Sequence, residues 1–385
     1  MKFCRLDEVC DFQSGLWTGK KGPYKVVKVL RNTNFTKDNK LNLENIAEIK
    51  VEVKQFEKRV LEKGDILIEK SGGGPNQPVG RVVLIDKRAV DYSFSNFTSR
   101  IRVFSDDLNP NYLYLFLNYI YLSGKTENLQ RRSTGIRNLQ LKEYKQLVIP
   151  VPSLQKQEKI VERLEKVFEN IELKFNLYKN KIELHKQLCK SKLNQIFNDE
   201  LVKSGGIKLN DLVDLQKGKK PEISQQIEGN LPYLTAKYIR GESDPEYGIP
   251  NSKGIVLVNP KDYVIIMDGS NSGEVFTGIN GILASTMGKI ILKQKINLKY
   301  LGYFLDFNKE NLANTKTGSA IPHLSKDVFF NLQIPVPSSK DQEKIVVKLD
   351  KFFKKVNYKL KNINEEIYLV NNLKKSILNK EFSYE

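Results

Sequence analysis

Asp65 and Glu69 stand four residues apart around the apolar run Ile66-Leu67-Ile68, the kind of carboxylate pair that could hold a divalent metal for phosphodiester cleavage. Glu48-x-Lys50 and Glu52-x-Lys54 would complete a nuclease-type pattern, but in a lysine-rich chain such matches arise by chance. A similar stretch, Lys261-Asp262-Tyr263-Val264-Ile265, keeps the aspartate and has Ile266 where Glu69 would recur, so two halves doing the same chemistry would not share the pair. Adenine methylation would need an Asn/Asp-Pro-Pro-Tyr/Phe tetrapeptide and a glycine-rich cofactor loop after a strand, and neither is present. Three cysteines (Cys4, Cys10, Cys189) and two histidines (His185, His323) give no metal-ligand spacing and no triad. Cys4 and Cys10 read as small buried hydrophobes, His185 as a packed residue and His323 as a structural turn residue. The odd, sparse cysteine count fits a reducing cytoplasm.

The remaining polar clusters suit binding. Lys70-Ser71-Gly72-Gly73-Gly74-Pro75-Asn76-Gln77-Pro78-Val79-Gly80-Arg81 follows a probable strand. Its glycines, Gly73 among them, let backbone approach a partner closely. Lys70 and Arg81 can take phosphates, Asn76 and Gln77 can pair with base edges, and Ser71 suits either. It is not a phosphate loop of the ATPase type, because no Gly-Lys-Ser/Thr follows. The matching place in the second half is Asp268-Gly269-Ser270-Asn271-Ser272-Gly273. Basic clusters recur near each domain start: Trp17-Thr18-Gly19-Lys20-Lys21, and Lys217-Gly218-Lys219-Lys220. Further candidates are Asn96 and Arg100, Lys237-Tyr238-Ile239-Arg240, Arg131 with Arg132, and Lys316. Each could equally be a solvated basic edge, and the glycine loop an ordinary flexible hairpin.

A formal charge of +18 and a pI near 9.4 favour polyanionic partners, although lysine outnumbers arginine about four to one and a lysine-biased genome gives the same look. No run approaches 18 apolar residues, so no membrane partner is expected, and no apolar core of signal-peptide length opens the chain.

What must position these clusters is an internal repeat. Residues 136–197 align without a gap to 321–382, with 25 of 62 positions identical. Ile149-Pro150-Val151-Pro152-Ser153 recurs as Ile334-Pro335-Val336-Pro337-Ser338, and Gln157-Glu158-Lys159-Ile160-Val161 as Gln342-Glu343-Lys344-Ile345-Val346. The prolines demand extended backbone, and the serine then sits where a helix N-cap belongs. Beyond it apolar residues alternate in steps of four and three, a coiled-coil seam: Ile160, Leu164, Ile171 and Ile182 in one copy, and Ile345, Leu349, Val356, Leu360 and Ile367 in the other. A helix of about 45 residues with one apolar seam cannot bury itself alone, and its simplest partner is its own repeat, packed antiparallel. The alternative is two helices that each cap their own domain.

These doubled Ile-Pro-Val-Pro-Ser…Gln-Glu-Lys-Ile-Val segments on long helices, each after a divergent domain, resemble the repeats of type I restriction-modification specificity subunits. The resemblance covers nearly the whole chain, tightly in the repeats and loosely in the domains. It implies an α+β fold: two mixed α/β target recognition domains (1–150 and 201–336) joined by an antiparallel two-helix coiled-coil spacer (151–200 and 337–385). It implies a non-catalytic subunit that reads a bipartite, asymmetric site in double-stranded DNA. It also implies two modification subunits, which would carry S-adenosylmethionine, and restriction subunits, which would use ATP and Mg²⁺. On this reading, substituting Arg81 or Asn76 weakens recognition of one half-site only. A scaffold joining proteins through its coiled coil is the rival reading, and it leaves the divergence of the two domains without a cause.

Overall fold

The computed structural model describes residues 2–36, 39–74, 77–133, 136–251, 253–315 and 322–383. It divides into two compact units, Met1–Tyr178 with Asn364–Glu385, and Lys179–Ile363. Asn76 and Lys316 lie outside the described residues, as does the side chain of Arg132.

In the first unit, four antiparallel strands form a sheet in the order β1-β4-β2-β3: β1 Cys10–Ser14, β2 Ile66–Glu69, β3 Val82–Leu84 and β4 Thr98–Val103. Side chains alternate across a strand, so Ile66, Ile68, Val82 and Ile101 face helix α1 (Pro110–Leu122), while Leu67 and Val83 pack with Leu30, Phe35 and Phe94 on the other side. Burial of both faces explains why β2 reads as a continuous apolar run. A three-stranded layer (Ala47–Glu52, Tyr24–Leu30, Ser93–Phe94) completes the domain, with Val29 and Leu30 running parallel to Ser93 and Phe94. Lys2–Arg5 pairs antiparallel with Val148–Val151, joining the domain's two ends. The first proline of the repeat, Pro150, is accommodated in this extended segment as its φ requires. Cys4 and Cys10 are buried, and burial pushes the Cys10 thiol up to about 12.

Helix α2 (Leu154–Ser204) begins directly after Ser153, whose carbonyl accepts from Lys156 N and Gln157 N. The repeated glutamine explains itself here. Gln157 is buried; its Oε1 accepts from Asn109 N, and its Nε2 donates to the Asp107 and Pro152 carbonyls. Asn109 is the N-cap of α1, so one glutamine ties α2 to α1.

The second unit repeats this plan. Strands β5 Val213–Lys217, β6 Tyr263–Ile266, β7 Val275–Thr277 and β8 Met287–Leu292 order as β5-β8-β6-β7. Tyr233 and Leu234 run parallel to Ile282 and Leu283, and Ile207–Lys208 pairs with Gln333–Ile334. Helix α3 (Leu298–Phe307) is capped by Asn297 as α1 is by Asn109. Helix α4 (Ser339–Phe382) follows Ser338, whose Oγ accepts from Asp341 N. Gln342 takes Gln157's part, accepting from Asn297 N and donating to the Pro337 carbonyl.

Within each unit the two long helices run antiparallel. In the first, Arg163 pairs with Glu381, Lys374 lies over the Phe168 ring and Tyr178 donates to Glu366, so positions rise on α2 as they fall on α4. Each domain is thus gripped by the start of one helix and the end of the other. Ile160 and Leu164 join Leu378 and Phe382 in the first core; Leu349, with half-buried Ile345, joins Leu193, Ile196 and Phe197 in the second. Phe382 lies 5.5–5.9 Å from Tyr112, Phe116 and Tyr119, and its repeat counterpart Phe197 lies 5.4–5.5 Å from Tyr300, Phe304 and Phe307. On the long helices of the first unit Ile171 and Ile367 are half-buried; on those of the second Val356 is buried and Ile182 and Leu360 are half-buried. His185 is half-buried, its Nδ1 against the Lys181 carbonyl at 2.6 Å. No helix among the described residues is long and apolar enough to cross a membrane.

Candidate nucleic-acid interface

The sheet has one end from which nearly all the candidate segments of the first domain leave. At that end β1 finishes at Ser14 opposite Ser99, and β2 finishes at Glu69 opposite Thr98. The segment from Gly15 to Lys21, the turn Ser95-Asn96-Phe97 and the glycine loop after Lys70 therefore lie side by side. Their backbones are locked together: Leu16 N donates to the Phe94 carbonyl, and Lys70 N and Ser71 N both donate to the Phe97 carbonyl. Gly15 has to be glycine, because a Cβ there would sit 1.8 Å from the Ser95 carbonyl oxygen.

The second domain builds the same end with other side chains. A Cβ on Gly218 would sit 2.2 Å from the Ala284 oxygen, and Met267 N and Asp268 N both donate to the Thr286 carbonyl. Left-handed glycines open and close both hairpins, at Gly72 and Gly80 (φ +103° and +108°) and at Gly269 and Gly273 (φ +113° and +93°). Backbone equivalence thus sets Ser71 against Asp268 and Phe97 against Thr286. It also sets Arg81 against Glu274, since Glu69 N and Ile266 N donate to their carbonyls.

The side chains fall into two groups. Lys20, Lys21, Lys219, Lys220, Lys237, Gln77, Ser270 and Asn271 are exposed or half-exposed at these ends. Lys219 also donates to the Lys253 carbonyl. Arg131 is placed with Nε on Gln140 Oε1, in a strand (Gln130–Ser133) next to the one that pairs with Ser71–Gly73. Lys70 and Asn96 are half-buried, and burial holds the Lys70 ammonium below its ordinary value. Ser71 Oγ donates to Asn138 Oδ1, and in the second domain Asp268 meets His323, the repeat counterpart of Asn138, at 2.8 Å. His323 is thereby tied into the turn, as its place in the repeat suggests. Lys217 Nζ donates to the other Asp268 oxygen at 2.7 Å. Burial pushes the Asp268 carboxyl up, but the hydrogen bonds and charges of Lys217 and His323 outweigh it and hold the group below its ordinary value.

The other group is turned inward, and here the sequence expectation needs correcting. Arg81 is 7% exposed. Its guanidinium forks onto Glu69 (Nε to Oε2 2.8 Å, Nη2 to Oε1 2.9 Å) and donates to the Phe35 and Asn32 carbonyls. A buried carboxylate needs this cation, so the Arg81 guanidinium is turned onto Glu69 and pins the hairpin. Both Glu69 oxygens serve that ion pair. Arg100 is buried against Asp11, Gly73 packs on Gln77 and Val79, and Ser272 is 1% exposed. Arg240 is half-buried and paired with Glu274, with Tyr238 half-buried beside it. Side-chain type and loop position favour contact in all of these; only burial separates them.

Two features of this end escape a reading by residue type. Trp17 and Phe97 are exposed aromatics set among the lysines, and Ser285 and Thr286 hold the place of Asn96 and Phe97 in the second domain. The duplicated pattern is the one signal that could have marked the second pair.

The family profile described as type I restriction modification DNA specificity domain matches residues 1–184 and again 203–369. The chain belongs to this family. It is 35% identical over 181 residues to the type I restriction enzyme MjaVIII specificity subunit of Methanocaldococcus jannaschii, a match over 46% of this chain and 41% of that relative's length. Among solved structures, a chain from the work described as structural basis underlying complex assembly and conformational transition of the type I R-M system aligns with a TM-score of 0.76 at 17% identity, covering 98% of this chain and 96% of that one. The HsdS subunit from Thermoanaerobacter tengcongensis aligns with a TM-score of 0.51 at 18% identity, covering 99% and 96%. At such identity these two establish the fold, two recognition domains with a helical spacer.

Proposed function

We propose that this chain is the DNA sequence-specificity subunit of a type I restriction-modification complex and carries no chemistry of its own. The recognition domains are residues 1–150 and 201–336, and each reads one half of a bipartite, asymmetric target. The observation that carries this is the pair of matched sheet ends: backbone bonds and glycines coincide while the side chains presented differ. Two readers of different half-sites need that combination. Lys20, Lys21 and Arg131 in one domain, and Lys219, Lys220 and Lys237 in the other, supply the phosphate contacts; Gln77, Asn96, Ser270 and Asn271 are the base readers.

The spacer segments, 151–200 and 337–385, set the gap between half-sites and carry two modification subunits. Support for two like partners comes from exposed apolar residues at repeat-equivalent places: Leu173 and Tyr358, Leu184 and Leu369, Leu188 and Leu373. Equal positions on both copies suit one kind of partner bound twice. Restriction subunits join through that assembly. Extrusion of the target adenine, which methylation in duplex DNA requires, falls to the partners.

The test is to co-express the chain with its modification subunit and map methylated adenines on genomic DNA. A split asymmetric motif, methylated once in each half on opposite strands, is the expected result. A stable complex that leaves no motif favours the scaffold reading, and methylation by this chain alone overturns the proposal. Lengthening α2 should change the gap and leave both half-site sequences unchanged.

A further inference from the structure

Trp17 is the chain's single tryptophan, and its side chain stands in solvent, 63% exposed. An indole of this size normally packs into a core or an interface. Its backbone is nevertheless held on both sides. Gly15 is pressed onto Ser95, Leu16 bridges Ser95 and donates to Phe94, and the Thr18 carbonyl accepts from Glu52 N at 2.9 Å. The left-handed turn at Gly19 (φ +78°) follows at once. The backbone that carries the exposed Trp17 ring is therefore held on both sides. On the neighbouring segment Phe97 is 47% exposed, and its ring lies 3.8 Å from where a Cβ on Gly72 would be. Gly72, at the root of the loop, is fixed as glycine by its φ of +103° and by Asn32 Nδ2, 2.8 Å from where that Cβ would be. Lys20 and Lys21 follow the turn and are exposed, with the Glu52 carboxylate accepting from Lys21 N.

Resting on the specificity-subunit reading, we propose that Trp17, supported by Phe97, is an aromatic wedge that unstacks a base step in the half-site read by the first domain. Exposed rings carried on held backbone beside exposed lysines fit a surface that is anionic outside and aromatic within, which is a duplex at a yielding step. The second domain has no counterpart: Lys220 and Thr286 occupy the two places. Only the first half-site is deformed, so part of its specificity comes from how readily one step opens and not from hydrogen bonds to its edges.

The experiment uses the complex with modification subunits and a 40-base-pair duplex carrying the split motif returned by methylation mapping. Trp17 emission is read as the difference between wild-type and Trp17→Phe complexes. On binding, that emission should fall by about half or more, and Trp17→Ala and Phe97→Ala should each weaken binding by about tenfold. An abasic site at the opened step of the first half should remove the difference between wild type and Trp17→Ala; abasic sites in the second half should not. Because Trp17 is exposed, its removal should leave the thermal midpoint unchanged. Unchanged emission, or wild-type affinity in Trp17→Ala, overturns the wedge alone. So does a loss that replacing thymine by uracil reproduces without an emission change, which would mean contact with methyl groups. Failure of the wild-type complex to select the duplex overturns the specificity reading and the wedge together.

Discussion

The two recognition hairpins share a frame and invert its charge. In the first domain the hairpin supplies the arginine: Arg81 reaches Glu69 within the hairpin and the carbonyls of Asn32 and Phe35 in the adjoining turn. In the second, the equivalent hairpin position is Glu274, and the arginine comes from the turn as Arg240. Both solutions tie hairpin to turn. The first buries its pair deeply; the second leaves its pair near solvent and fills the Glu69 position with Ile266. Divergence has thus run through residues that hold the loop as well as through those that face outward.

The largest test of the likeness between the domains lies in their grips. Phe382→Ala and Phe197→Ala should each cost about 3–5 kcal/mol, as loss of a fully buried aromatic does. Hydrogen exchange should place the loss in α1 for Phe382 and in α3 for Phe197. Unequal costs, or protection lost in both helices at once, would mean that the two grips are not equivalent. Next comes the difference in their hairpins. Glu69→Ala strands the Arg81 charge and should cost about 3–5 kcal/mol, seen as exchange across residues 69–81. Glu69→Ile with Arg81→Met, which takes Ile266 from the second hairpin and removes the cation with its partner, should cost less than half as much. A double variant as damaged as the single one would show that the hydrogen bonds of Arg81 to Phe35 and Asn32, rather than its charge balance, hold the loop.

A smaller effect separates affinity from readout. Lys20→Ala with Lys21→Ala should weaken DNA binding evenly across sequences and lower the salt slope by about 0.9 for each phosphate no longer neutralised. Lys219→Ala with Lys220→Ala should do the same from the second domain. If either pair altered the bases selected, those lysines would be readers, and affinity and readout would not be separable in that domain.

The spacer was legible because its chemistry is local and doubled. Prolines, a capping serine and a four-three seam leave little choice, and two copies remove chance. Helix α2 runs to 51 residues where the seam predicts about 45, and α4 to 44, since nothing before Gly205 stops the first. Loop position was legible as well, from glycines and strand ends. The direction of each side chain was not. Arg81 and Lys20 are both cations in loops, and only the buried Glu69 turns the first of them inward; a tertiary partner 12 residues away has no periodic signature. Gln157 and Gln342 were visible as repeated letters, but their reason, a buried clamp on the next helix's cap, lies in the fold.

The smallest contrast is in the ties that close each loop. Ser71 to Asn138 is neutral, whereas Asp268 joins His323 and Lys217 as a carboxylate. The folded Asp268 carboxyl sits below its ordinary value. Its contribution is therefore fully present above the unfolded carboxyl's pKa near 4 and is lost as pH falls through the lower folded value. Because the tie is partly solvated, it should be worth about 1 kcal/mol or less. Protection factors, corrected for intrinsic exchange, should accordingly drop between pH 5 and pH 3 at residues 268–274 and stay level at 71–74. Asp268→Asn should remove that pH dependence while keeping the shape of the tie. If the first loop loosened equally, acid would be acting on the common frame, and the ionic tie would not be what distinguishes the second reader.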